Sequence, residues 1–211
     1  MSTEKQLSYQ ITNTYSVLNE FTPRTKNVWV VCHGIGYLSR YFLRHFQHLN
    51  AEENYIIAPQ AHSKYYLNNQ YKHVGASWLT KENTQLEVEN VLNYLDEVYK
   101  VEKLADAPNL IILGYSQGVS VATRWVAKRK IKCDTLIMHS GKLPQELKTE
   151  DFSFLKDTQF SFIYGKNDEY LKSRIIEVEE KRLHELFPQD LKILSFDGKH
   201  EVNPELISKF A

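Results

Sequence analysis

The chain has 211 residues, 42% of them hydrophobic and 25% charged, with lysine plus arginine equal to aspartate plus glutamate at 26 each. That balance lacks the basic excess of a nucleic-acid-binding protein, and the length fits one α/β domain spanning 1–211. No stretch approaches the roughly 18 apolar residues that cross a membrane, and "MSTEKQLSYQ" lacks the apolar centre of a signal peptide, so a cytoplasmic location is expected. Two cysteines, Cys32 and Cys133, lie in or beside apolar runs without zinc-type spacing, so no metal or cofactor site is expected.

Residues 6–20, "QLSYQITNTYSVLNE", alternate around the polar "TNT" and predict an opening antiparallel hairpin. Then come short, almost continuously apolar runs that suit strands covered on both faces. They are "NVWVVCHG" (27–34), "YIIAPQA" (55–61), "NLIILGYS" (109–116), "DTLIMHSG" (134–141), "FSFIYGKND" (160–168) and "LKILSFDG" (191–198). Helical spacing marks 82–100, 117–130, 169–187 and 203–210, with Pro204 near the start of the last. "YFLRHFQHL" also reads as helix. The basic run "AKRKIK" (127–132) suits a helix C-terminus. Strands alternating with helices predict a mostly parallel sheet with helices on both faces, and ligands then bind beyond the carboxyl ends of the strands. The one long irregular stretch is 60–81, and loops of that length are often functional.

"GYSQG" (114–118) places Ser116 between an apolar run and a helical pattern. Small neighbours suit the strained strand-to-helix turn on which a serine nucleophile sits. The same residues also describe a glycine-permitted turn with a serine helix cap. A serine hydroxyl needs a base. His45, His48 and His184 fall in helical patterns, His62 and His73 in the long loop, and His139 directly after the Ser116 unit. His200 alone follows the last strand. The acid belongs after an intervening strand, where Asp168 sits; Asp197 is the rival, three residues before His200. Asp168 would equally cap the helix that follows. The developing oxyanion needs N–H donors. Gln117, after the nucleophile, and the glycine turn "CHGIGY" (32–37) are placed to give them.

These pieces, in this order, resemble the phospholipase/carboxylesterase and acyl-protein thioesterase family of α/β-hydrolases. "HGIG" (33–36) is similar to its oxyanion turn, "APQA" (58–61) to the strand end before its substrate loop, and "SW" (77–78) to the serine–tryptophan before a helix. "GYSQG", "HSGKLP" (139–144), "YGKND" (164–168) and "GKHEV" (198–202) resemble its elbow, a following loop, its acid loop and its histidine loop. The resemblance implies a serine esterase with Ser116 as nucleophile, Asp168 as acid, His200 as base, and Ile35 and Gln117 as oxyanion donors. Its substrates would be small-molecule or lipid acyl esters, with thioesters and lysophospholipids among the candidates. Tyr37-Leu38 and Leu79-Thr80 depart from the family pattern close to the expected acyl pocket. Tyr65, Tyr66, Tyr37 and Trp78 are the expected substrate contacts, Trp78 and the tyrosines of the long loop building an apolar slot. A ligand-binding protein without catalysis, and a peptidase or transacylase on the same machinery, remain alternatives.

Overall fold

A computed structural model describes residues 2–188 and 191–211. The apolar runs become β2 (Asn27–Cys32), β3 (Asn54–Pro59), β6 (Leu110–Tyr115), β7 (Thr135–His139), β8 (Gln159–Gly165) and β9 (Leu191–Phe196). With β1 (Tyr15–Leu18) they form one seven-stranded sheet among the described residues, in the order β1-β3-β2-β6-β7-β8-β9. All neighbours pair in parallel except β1 with β3. The antiparallel N-terminal element is therefore present, but its partner is β3 and not an arm within 6–14, which carries no strand. Thr14 instead gives its carbonyl to the Tyr94 hydroxyl, and the Asn13 amide donates to the Gln60 carbonyl, which anchors the chain just before β1.

Side chains alternate across the strands and build two cores. On one face Ile112, Leu136 and Phe162 pack with α2 (Thr84–Val101), α3 (Gln117–Arg129) and α4 (Ser173–Leu186), burying Val91, Leu95, Trp125 and Leu183. On the other, Trp29, Ile111, Leu113 and Tyr115 meet the short α1 (Ser39–Phe42), the 3-10 turn Leu43–Phe46 and α5 (Pro204–Ile207). The basic run at the end of α3 is held by partners of its own. Arg129 bridges Asp96 and Glu89 at 2.7 and 2.5 Å, and Lys130 donates to the Asp151 carbonyl. No described helix is long and apolar enough to cross a membrane.

The stretch 60–81 is not irregular. It folds into an antiparallel ribbon, β4 (Ser63–Tyr66) with β5 (Val74–Ser77), whose tip holds Asn68 and Asn69 at φ 56° and 53°. Asparagine tolerates that left-handed conformation. The strand signal is hidden because every residue of β4 is exposed, and because the ribbon docks through backbone. Gly36 N–H donates to the Ala76 carbonyl at 2.8 Å, and a β-carbon on Gly75 would lie 2.6 Å from the Gly36 oxygen. No alternating apolar face is needed for such a contact.

Between β2 and β6 the strand order reverses direction: β3 follows β2 on one side, while β6 to β9 extend on the other. A crevice opens beyond the carboxyl ends at such a switch point. "HGIG" leaves β2 there and Ser116 leaves β6.

Candidate active site

Ser116 sits between β6 and α3 with φ 53° and ψ −117°, a conformation that non-glycine residues seldom adopt. It is held because the flanking glycines allow backbone to meet backbone. A side chain on Gly118 would collide with the Cys32 carbonyl, and one on Gly114 with the Gly118 carbonyl. Ser116 N–H donates to the His139 carbonyl at 2.8 Å, which ties the turn to β7. Its hydroxyl does not cap α3; it lies 2.9 Å from His200 Nε2.

His200 comes from the loop after β9. Its Nδ1 lies 2.7 Å from Asp168 Oδ2, in the loop after β8. A carboxylate only accepts, so Nδ1 carries the proton and Nε2 is free to accept from Ser116. The Asp168 side chain is completely buried, and its second oxygen accepts the N–H groups of Tyr170 and Leu171 at 2.8 and 3.0 Å. Asp168 is not a helix cap, because α4 begins only at Ser173. Asp197 stands apart, exposed, accepting a hydrogen bond from the Asn167 amide. The structure thus joins Ser116, His200 and Asp168 in one hydrogen-bonded run and leaves Asp197 outside it.

The two residues expected to supply oxyanion donors lie just past the carboxyl ends of β2 and β6. Gln117 is the first residue of α3, where N–H groups lack intrahelical acceptors and the helix dipole favours negative charge. Ile35 lies in the turn after β2. A β-carbon on neighbouring Gly34 would sit 3.1 Å from the Ser116 β-carbon, so this turn rests against the elbow.

The four expected substrate contacts divide. Tyr65 reaches the turn: its hydroxyl lies 3.9 Å from where a β-carbon on Gly36 would stand. Tyr66, one residue on, belongs to the other face of the ribbon and packs on Tyr71 at 4.9 Å. Tyr37 is half-buried against Phe42, His45 and Tyr115, behind the site. Trp78 is 1% exposed and lines no open slot; its indole N–H donates to the His33 carbonyl. Trp78 thus differs from the three tyrosines in being buried beneath the turn, its ring against that of His33.

Other residues of the site escaped the sequence reading. Tyr170 is 66% exposed, with its ring centre 4.8 Å from that of His200. Its place two residues after Asp168 was the available signal. Tyr115 donates its hydroxyl to the His200 carbonyl at 2.9 Å, so the strand carrying the serine also holds the histidine loop. His33 and His139 are buried and neutral. Burial lowers His33 to about 4, against a smaller upward pull from its bond to Gly34, and lowers His139 to about 3, helped by the nearby His200 and His45. Each accepts a backbone N–H at Nε2, from Ala61 and Asn203 respectively. Among the described residues no cluster of three or more His, Cys, Asp or Glu is arranged to hold a metal ion.

A sharp strand-to-helix turn at the switch point, with an acid after one later strand and a histidine after the last, defines the α/β-hydrolase class. Within it, the chain belongs to the phospholipase/carboxylesterase family, whose model matches residues 13–210. No curated protein matches the sequence. Among solved structures it is similar to acyl-protein thioesterase 2 of Zea mays, at 15% identity and TM-score 0.68, covering 94% of this chain and 96% of that one. A phospholipase/carboxylesterase from Dyadobacter fermentans matches at 19% identity and TM-score 0.68, covering 96% and 97%. The esterase PE8 matches at 17% identity and TM-score 0.71, covering 95% and 98%. At these identities the likeness is one of fold.

Proposed function

We propose that the protein is a serine hydrolase that cleaves acyl esters, thioesters included, through a covalent acyl-enzyme. The observation that carries this reading is the run Ser116 Oγ to His200 Nε2 to Asp168, at 2.9 and 2.7 Å, with the carboxylate buried. His200 Nε2 takes the hydroxyl proton as Ser116 Oγ attacks the carbonyl carbon. Asp168 keeps the imidazole in the tautomer this requires and stabilises the imidazolium that forms. The carbonyl oxygen becomes an oxyanion, bound by the Ile35 and Gln117 N–H groups. Collapse of the tetrahedral intermediate breaks the bond to the leaving alcohol or thiol, which receives the proton from His200. Water then attacks the acyl-enzyme with His200 again as base, releasing the carboxylic acid and restoring Ser116. Tyr65 and the exposed Ile35 and Tyr170 side chains border the space where the acyl and leaving groups would lie.

The family and the names borne by its structural neighbours support this choice of bond. A fluorophosphonate probe tests it. Labelling at Ser116, with turnover of p-nitrophenyl butyrate that Ser116→Ala abolishes, is the expected result. A protein that is neither labelled nor active is a binding module on the same fold.

A further inference from the structure

We propose that the side chains of Gln117, Trp78 and His33 are positioning residues that hold the two oxyanion donors in fixed relation to each other. The inference rests on the proposed hydrolase reading. It starts from the Gln117 amide, which clasps the chain at the end of the ribbon. Its Oε1 accepts Trp78 N–H at 2.8 Å, and its Nε2 donates to the Leu79 carbonyl at 2.7 Å and to Ser77 Oγ at 3.1 Å. A primary amide presents one acceptor and a two-proton donor in a plane, so it can pair with a backbone segment as a neighbouring strand would. Alanine or an apolar side chain there leaves Trp78 N–H and the Leu79 carbonyl without these partners.

From Trp78 the relay continues. The indole N–H donates to the His33 carbonyl at 2.8 Å, and the indole lies against the imidazole with ring centres 5.0 Å apart. His33 Nε2 accepts Ala61 N–H at 3.2 Å, so the proton of this neutral ring is on Nδ1. Nδ1–H donates to the Gly34 carbonyl at 2.8 Å. The Gly34–Ile35 peptide is trans and planar, so its C=O and N–H point in opposite directions. Fixing the carbonyl on His33 turns the Ile35 N–H outward, to the side of Ser116. One donor belongs to Gln117 itself and the other is aimed by the last member of the relay. The polar contacts run through side chains that are buried or half-buried, and no loop exposed to solvent intervenes.

Because the relay acts on donors that bind the transition state and not the ground-state ester, its loss should lower kcat and leave KM nearly unchanged. Gln117→Met keeps the length of the side chain and removes both ends of the clasp. Trp78→Phe keeps a ring and removes the indole N–H. Displacing a donor by about 1 Å costs on the order of 100-fold, so a kcat loss of about 10- to 100-fold is expected for each variant, with KM within about twofold. The affinity for a trifluoromethyl ketone, whose adduct places an oxyanion in the hole, should fall by the same factor. The double variant should lose no more than the worse single one, since both cut one relay.

Losses that multiply in the double variant, or that fall on KM, overturn the proposal. Gln117→Met keeps the test open if Trp78→Phe does not fold. If the wild type shows neither turnover nor fluorophosphonate labelling, the hydrolase reading has failed, and the relay is read separately from the ¹⁵N shifts of His33. A single Nδ1–H tautomer in the wild type that both variants mix supports the relay; an unchanged tautomer in both overturns it.

Discussion

The elbow and the ribbon lie on either side of the Ile35 turn and are built in opposite ways. Around Ser116 backbone meets backbone, glycines are forced by collision, and the Asp168 carboxylate is sealed from water with both oxygens engaged. Along β4 every side chain is exposed, Tyr71 beyond the tip is 89% exposed, and the ribbon joins the body through backbone at Gly36 and the clasp of Gln117. The difference teaches where precision is needed. Proton transfer and oxyanion binding tolerate errors of a fraction of an ångström, whereas an acyl group needs only a surface of suitable shape and polarity.

Substitutions should separate the two regions by the size of their effects. Ser116→Ala is expected to lower kcat by on the order of 10⁵- to 10⁶-fold with the fold intact, read from p-nitrophenyl butyrate turnover beside thermal melting. Asp168→Asn should cost about 10⁴-fold, through the wrong imidazole tautomer, and Asp197→Asn no more than about twofold. A larger loss at Asp197 reverses the assignment of the acid.

Acid should weaken the braced region in a defined window. His33 and His139 are neutral in the fold, with values of about 4 and 3, while in the unfolded chain they protonate near 6.5. The unfolded state therefore binds more protons below pH 6.5. Their contribution to stability is complete above that pH and is lost as the pH falls, toward 4 for His33 and toward 3 for His139. Each should add a slope of about 1.4 kcal/mol per pH unit between pH 4 and 6. Urea midpoints across that range measure it, and His139→Gln should remove one such slope.

The smallest effect belongs to the ribbon. Tyr65→Ala should shift KM by about two- to tenfold, leave kcat within a factor of about two, and change stability by less than about 0.5 kcal/mol. Tyr66→Ala, on the opposite face, should leave KM unchanged. Equal effects from the two would mean that the ribbon does not present its Tyr65 face to the substrate.

The same contrast explains how much the sequence revealed. The central strands were legible because strands covered on both faces must be apolar along their length. The triad candidates were legible because parallel topology puts functional residues just past strand ends, where Ser116, Asp168 and His200 lie. The ribbon was not, since its docking uses Gly75 and Ala76 backbone and leaves no apolar alternation. The burial of Trp78 and its bond to His33 were not legible either, because they depend on neighbours distant in the chain. Residues 6–14 show the converse. Leu7, Tyr9 and Ile11 alternate as a strand would, yet all three are exposed, and β3 takes its antiparallel partner from 15–18.

The strands that lead to the two proposed donors have a consequence for how such a site can vary. β2 and β6 are hydrogen-bonded neighbours, with Cys32 opposite Gly114 at their carboxyl ends. The gap between bonded strands is a constant of the polypeptide, about 4.8 Å, whatever the side chains. A hole spanning these two strands takes its gauge from the sheet itself. Changes in loop length cannot move the strand ends apart without breaking the ladder, and side chains such as those of Gln117 and Trp78 can only re-aim the N–H groups that follow them. Diversity among enzymes of this build then has to accumulate along the rim, as in the exposed strand Ser63–Tyr66 and the ribbon tip, which lie outside the clasp of Gln117.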